Sequence, residues 1–283
     1  MIRYLLPALE SHLHEAWRAE PMLYNRSGGR WLLVTGAVAG LGALVLWLGG
    51  GPHAGFVTLN HHMGRLPPGL WTLLTSLGDG LVLAMAGLLV AWRWPHLFWA
   101  MFLGLLTTLL LTHVPKELLD MPRPAALLAP EDFNLLGPGH RSKALPSGHT
   151  LAVFALAGIV IYVLRSTALR AGVLLLAVLC AASRIAVGEH WPLDVLAGAA
   201  GGVLAAWLAI VLARHVPGGR NVWVHLALLM LFVTAALHLL VYAPPYAYAR
   251  PLNISVAVCA LAVAGRDYLL VWPRRAQRLA QRG

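Results

Sequence analysis

Residues 183–213 read SRIAVGEHWPLDVLAGAAGGVLAAWLAIVLA. Arg184, Glu189, His190 and Asp194 crowd the start of this stretch, and no charged residue follows as far as Ala213. A helix needs about 20 apolar residues to cross a hydrocarbon layer of ~30 Å. Residues 192–213 therefore read as a membrane span that begins in a polar cluster. Further runs of the same character lie at about 31–50, 70–92, 97–114, 149–164, 171–187, 222–241 and 252–272. The chain of 283 residues is 59% hydrophobic and only 11% charged, whereas a soluble domain carries roughly a quarter charged residues. The expected fold is all-α, a polytopic membrane helical bundle of about eight spans.

Residues 1–30 precede the first apolar run and are too polar for the core of a signal peptide. Ile2, Leu5, Leu6, Leu9, Leu13, Ala16 and Trp17 share one helical face, with Arg3, Glu10, His12, Glu15 and Arg18 on the other. That pattern predicts an amphipathic helix in the membrane interface. His12 and His14, two residues apart, do not share a helix face and read as solvated histidines rather than a metal pair. Cys180 and Cys259 both fall in apolar runs and read as small buried hydrophobes.

Charge sets the orientation. With a cytoplasmic N-terminus, that side holds Arg3, Arg18, Arg26, Arg30, Arg93, Arg165, Arg170, Arg214, Arg220, Arg274, Arg275, Arg278 and Arg282. The other side holds Arg65, Lys116, Arg123, Arg141, Lys143, Arg184 and Arg250. The excess obeys the positive-inside rule, so the long 115–148 connection and the start of span 192–213 are expected at the outer face. The net charge of +10 does not signal nucleic acid. The basic residues sit in short loops, and no basic stripe interleaved with aromatics is present.

Three ordered segments carry the chemistry: Lys116-x6-Arg123-Pro124, Pro146-Ser147-Gly148-His149, and Ser183-Arg184-x5-His190-x3-Asp194. A phosphoryl group in its transition state spreads charge over three oxygens and needs cations and donors around them. Lys116, Arg123 and Arg184 supply the cations, the arginines with a planar fork suited to bidentate contact. Pro124 fixes the turn that aims Arg123. Ser147 stands at the N-cap of the run beginning at His149, where free amides and the helix dipole favour an anion. Gly148 lets the backbone approach that anion. Capping and phosphate binding are expected to share this turn. His190 and Asp194, four apart, are within contact on a helix, and a carboxylate on one ring nitrogen leaves the other free to attack. Asp79 lies within the second span, where a carboxylate is expensive and usually functional. Glu117, Asp120 and Glu189 flank these positions and are placed to pair with neighbouring cations or to shape the pocket. No metal motif is present: there is no H-E-x-x-H, no Cys/His cluster and no grouping of carboxylates.

The ordered triplet resembles the signature of the type 2 phosphatidic acid phosphatase superfamily, which covers membrane lipid phosphatases and vanadium haloperoxidases. Eleven identities match, and a chance match is on the order of one in ten million. The resemblance spans residues 116–194 strictly, or about 70–214 with the flanking helices. It implies a phosphatase-like transmembrane core over residues 31–214, of the family's six-span kind. Residues 1–30 would then be an interfacial segment, and 215–283 two extra spans with a basic cytoplasmic tail. It implies further that His190 is the nucleophile forming a phosphohistidine, that Asp194 orients it, and that His149 protonates the leaving oxygen and then activates water. Lys116, Arg123, Ser147, Gly148 and Arg184 would bind phosphate without a cofactor. A Gly-Asp similar to Gly78-Asp79 in the family makes Asp79 a supporting candidate.

The expected partners are a lipid phosphate substrate and the surrounding membrane lipids. By analogy the membrane is a bacterial inner membrane, with the site on the periplasmic side. Candidate substrates are undecaprenyl pyrophosphate, placed first, phosphatidic acid, phosphatidylglycerophosphate, diacylglycerol pyrophosphate and the phosphates of lipid A. The main alternative is a lipid-to-lipid phosphotransferase using the same phosphoenzyme. A soluble haloperoxidase does not fit eight spans. A transporter would explain the spans but not three cations and two histidines on one face.

Overall fold

The computed structural model describes residues 2–19, 25–242 and 244–281, and every regular element among them is helical. Arg282, counted above with the cytoplasmic charges, residues 20–24 of the N-terminal segment and the side chain of Ile2 lie outside the described residues. In chain order the first helices are α1 (Leu5–Ala19), α2 (Arg26–Gly50), α3 (Phe56–Met63), α4 (Pro68–Leu77), α5 (Gly80–Val90) and α6 (Pro95–Leu119). Then come α7 (Pro124–Leu127), α8 (Gly148–Val163), α9 (Thr167–Ala186), α10 (Pro192–His215) and α11 (Val222–Val241). The chain closes with α12 (Arg250–Gly265), a π-helical stretch (Arg266–Val271) and α13 (Trp272–Ala280). Among the described residues, six segments are long and apolar enough to cross a membrane: α2, α6, α9, α10, α11 and the α12–α13 segment.

The other two apolar runs take less regular forms. The second breaks at Gly78-Asp79 into α4 and α5, bent by 54°. Asp79 causes the restart, because its carboxylate accepts from the Leu81 amide at 2.8 Å and caps α5, the role a short acidic side chain prefers to a helix interior. The fourth run forms α8, whose 16 residues rise only about 24 Å. Most of its side chains are buried, so α8 is the central post of the bundle.

Small residues bring α10 onto α8. A Cβ on Gly198 would stand 2.8 Å from the Ser147 carbonyl oxygen, and one on Gly202 would stand 2.6 Å from Phe154 Cβ. Gly158 of α8 faces Ala206 in the same way, at 2.6 Å. Such small-residue seams let helix backbones approach where lipid offers no hydrophobic drive to association. The start of α10 is thereby fixed against the start of α8.

The apolar stripe of α1 meets protein. Ala8, Leu9 and Leu13 are fully buried, Trp272 Nε1 donates to the Leu5 carbonyl at 2.8 Å, and Arg275 pairs with Glu15 at 2.6 Å. His12 is not a solvated histidine. It is half-buried, stacks on Trp92 at 4.0 Å and bonds the Trp92 carbonyl at 2.9 Å, and its burial lowers its pKa below the ordinary 6.5. His14 is exposed and bonds within α1. Cys180 is buried as expected, whereas Cys259 is exposed on the flank of α12.

Candidate active site

Four helix ends converge at one end of the bundle: the C-termini of α6 and α9 and the N-termini of α8 and α10. The 120–147 connection folds back over them. Its two limbs pair through Arg123 N to Arg141 O at 3.0 Å and Ala144 N to Met121 O at 2.9 Å. Trp191 Nε1 pins the loop by donating to the Pro122 carbonyl at 2.8 Å. Asn60 of α3 secures the roof, its side-chain amide donating to the Ile185 carbonyl at 2.9 Å and to the Asn134 carbonyl at 3.0 Å.

His190 stands in the short turn between α9 and α10, 1% exposed. Its Nδ1 lies 3.2 Å from Asp194 Oδ2, and the same oxygen accepts the Trp191 amide at 2.9 Å. A first-turn carboxylate thus satisfies an orphan helix amide and orients the imidazole at once. Nε2 is left without a hydrogen bond among the described residues. Burial first, then the cations Arg123, Arg184 and Lys116, push the His190 pKa well below its ordinary 6.5. At neutral pH the ring is uncharged and its second nitrogen keeps a free lone pair.

The three cations are held differently. Arg123 is buried, donating from Nε to the Ser142 carbonyl at 2.9 Å and from Nη1 to Glu189 Oε2 at 2.8 Å. Glu189 is itself buried and also accepts the Gly139 amide at 2.8 Å and His140 Nδ1 at 3.0 Å. Arg184 is buried near the end of α9, and its Nη1 donates to Thr75 Oγ1 and to Tyr246 Oη, the latter at 3.1 Å. Arg184 Nε is buried without a partner among the described residues. Lys116 is half-buried near the end of α6 and makes no hydrogen bond among the described residues.

Ser147 has extended dihedrals at the start of α8, but its hydroxyl makes no capping bond. It accepts from Thr150 Oγ1 at 3.0 Å instead, so side-chain capping does not share the turn as expected. The Ser147 amide donates to the Asp194 carbonyl at 3.0 Å. Gly148 packs on α6, since a Cβ there would lie 3.1 Å from Thr112 Cγ2. His149 is half-buried beside the α4–α5 break, where a Cβ on Gly78 would lie 3.5 Å from His149 Cβ. Pro124 opens α7 directly after Arg123. Asp79 is committed to its cap and bonds none of the residues above among the described residues.

Lys116, Arg123, His149, Arg184, His190 and Asp194 are therefore neighbours in space, although 78 positions separate the first from the last. Glu189 joins them through Arg123. Thr75 and Tyr246 lie outside every sequence motif, and nothing in their local spacing marks them. Among the described residues, no group of three or more His, Cys, Asp or Glu side chains is arranged to hold a metal ion. The cluster offers an anion cradle beside an uncharged imidazole.

Residues 97–216 match the PAP2 superfamily. The crystal structure of Aquifex aeolicus LpxE is similar over 55% of this chain and 92% of its own, at 30% identity and a TM-score of 0.50. No curated protein matches the chain. The chain belongs to the PAP2 superfamily. With that membership and its membrane-length helices it is a membrane lipid phosphatase.

Proposed function

We propose that this enzyme removes the terminal phosphate of a lipid phosphate or pyrophosphate at the outer membrane face, with undecaprenyl pyrophosphate as the first-choice substrate. The observation that carries the reading is His190, bonded through Nδ1 to Asp194, with Nε2 unbonded amid three cations. Lys116, Arg123 and Arg184, with Ser147 and Gly148 at the start of α8, hold the phosphate. His190 Nε2 attacks phosphorus, an N–P bond forms, and the P–O bond to the lipid breaks as His149 gives its proton to the departing oxygen. His149 then takes a proton from water, whose oxygen attacks phosphorus. The N–P bond breaks, releasing inorganic phosphate and a neutral His190.

Two features support a lipid rather than a soluble phosphate ester. The cluster stands at the ends of membrane-length helices. Beneath it an apolar cavity of about 50 Å³, lined by Gly80, Gly104, Thr108, Ala152 and Phe232, starts one helical turn from His149. The outer-face assignment rests on the arginines at the opposite ends of these helices, Arg26 and Arg30 on α2 and Arg214 on α10. In an inner membrane that face is periplasmic. Phosphate release from a panel of purified lipid phosphates in detergent tests the reading. Undecaprenyl pyrophosphate should give the highest kcat/KM. A radiolabelled phosphate that moves only to an added acceptor lipid, never to water, would make the enzyme a phosphotransferase.

A further inference from the structure

We propose that Tyr246 and Thr75 are positioning residues that set the rotation of the Arg184 guanidinium, which makes the two spans after the catalytic helices a working part of the phosphate site. The inference rests on the reading of Arg184 as a phosphate ligand.

A guanidinium carries five N–H donors in one plane. In Arg184 the two hydrogens of Nη1 are taken by Thr75 Oγ1 and Tyr246 Oη. The edge formed by Nε and Nη2 is left over, and Nε is buried with no partner among the described residues. A buried donor without a partner is costly, and the cost is removed when two phosphate oxygens meet that edge as a bidentate pair. The choice of acceptors matters. Arg123 is held by the Glu189 carboxylate, which offsets part of its charge. Arg184 is held by two neutral hydroxyls, which orient it and leave its charge for the ligand.

Tyr246 lies beyond the family match, which ends at residue 216. It precedes α12, and its buried ring clusters with Trp71, Ala186 and Val187 around the end of α9. Helix α12 is itself tied to α4 by a buried bond from Ser76 Oγ to Asn253 Oδ1 at 3.2 Å, one residue from Thr75. The added spans are thus anchored beside one hydroxyl and deliver the other.

The test uses the full-length enzyme in detergent. Tyr246→Phe removes one oxygen and keeps the ring. It should lower kcat/KM about tenfold, the scale of one hydrogen bond to a charged group. It should weaken inhibition by vanadate by a similar factor while the protein stays folded, with only a small drop in melting temperature from the stranded Nη1 hydrogen. Thr75→Val should behave alike, and Thr75→Ser should lose less. In an Arg184→Lys background, Tyr246→Phe should cause less than about a twofold further loss, because the geometry it guards is already gone. Wild-type kinetics in folded Tyr246→Phe protein, or a full tenfold loss on top of Arg184→Lys, would overturn the inference alone. A wild-type enzyme that neither releases phosphate nor responds to vanadate would overturn the underlying reading as well.

Discussion

The backbone amide of Ser147 donates to the backbone carbonyl of Asp194 at 3.0 Å. One peptide hydrogen bond thus locks the turn that opens α8 to the turn that opens α10. Main-chain atoms set the spacing of the Ser147-Gly148 turn from the His190–Asp194 pair, so side-chain substitutions in either motif should disturb chemistry before architecture.

His190→Ala should reduce kcat by at least about a thousandfold, since the covalent route disappears with the nucleophile. His149→Ala should nearly abolish turnover, with slow formation of the phosphoenzyme. Single-turnover labelling with a radioactive lipid phosphate checks both, because phosphohistidine is acid-labile and base-stable. Near-normal turnover by folded His190→Ala protein would falsify the nucleophile assignment.

Glu189→Ala should be costly in stability as well as activity. The Arg123–Glu189 pair is buried, and breaking such a pair strands a charge at about 3–5 kcal/mol. Glu189→Gln keeps an acceptor for Arg123 and for the Gly139 amide and should be milder. Thermal unfolding in detergent reads the difference, and an unchanged midpoint in Glu189→Ala would mean the pair contributes nothing.

The acid limb of kcat/KM should fall below pH 6.5. His190 is held well below its ordinary value by burial and then by Arg123, Arg184 and Lys116, so it stays neutral and nucleophilic as pH falls past 6.5. The sign for stability follows from the same shift. The unfolded chain binds this proton first, so the contribution of His190 is present above its unfolded pKa and is lost as pH drops toward the folded value. Arg123→Gln removes one repelling cation and should move the limb upward. A limb that stays in place, or moves down, would contradict this electrostatic account.

Activity should survive excess EDTA. In the proposed mechanism three basic side chains supply the charge stabilisation that a metal ion would otherwise provide. Activity lost in EDTA and restored by Mg²⁺ or Mn²⁺ would require a different account of the cradle.

Sidedness tests topology and function together. In a background lacking Cys180 and Cys259, a cysteine replacing the exposed Pro138 should react with an impermeant maleimide on intact spheroplasts. One replacing the exposed Arg220, beyond the far end of α10, should react only after lysis. The reversed pattern would turn the bundle over and remove the outer leaflet as the site of reaction.

The sequence alone determined the helical membrane fold, because a span is a local property: about 20 apolar residues satisfy every backbone group within one helix. That these motif residues would gather was legible for a similar reason, since the Ser147-Gly148-His149 turn and the His190–Asp194 spacing are short and each has a physical reason of its own. What depends on contacts between distant segments was decided only by tertiary structure. Residues 70–92 read as one straight span, yet Asp79 caps a new helix there, and the break rests against His149. His12 read as solvated until α1 was laid on Trp92. Arg184 reads as a cation from its motif, but the direction of its fork depends on hydroxyls 109 and 62 positions away. Hydrophobic periodicity reports which face of a helix is buried. It carries no record of which polar atom from another helix will meet a given donor, because that pairing exists only once the backbones have packed.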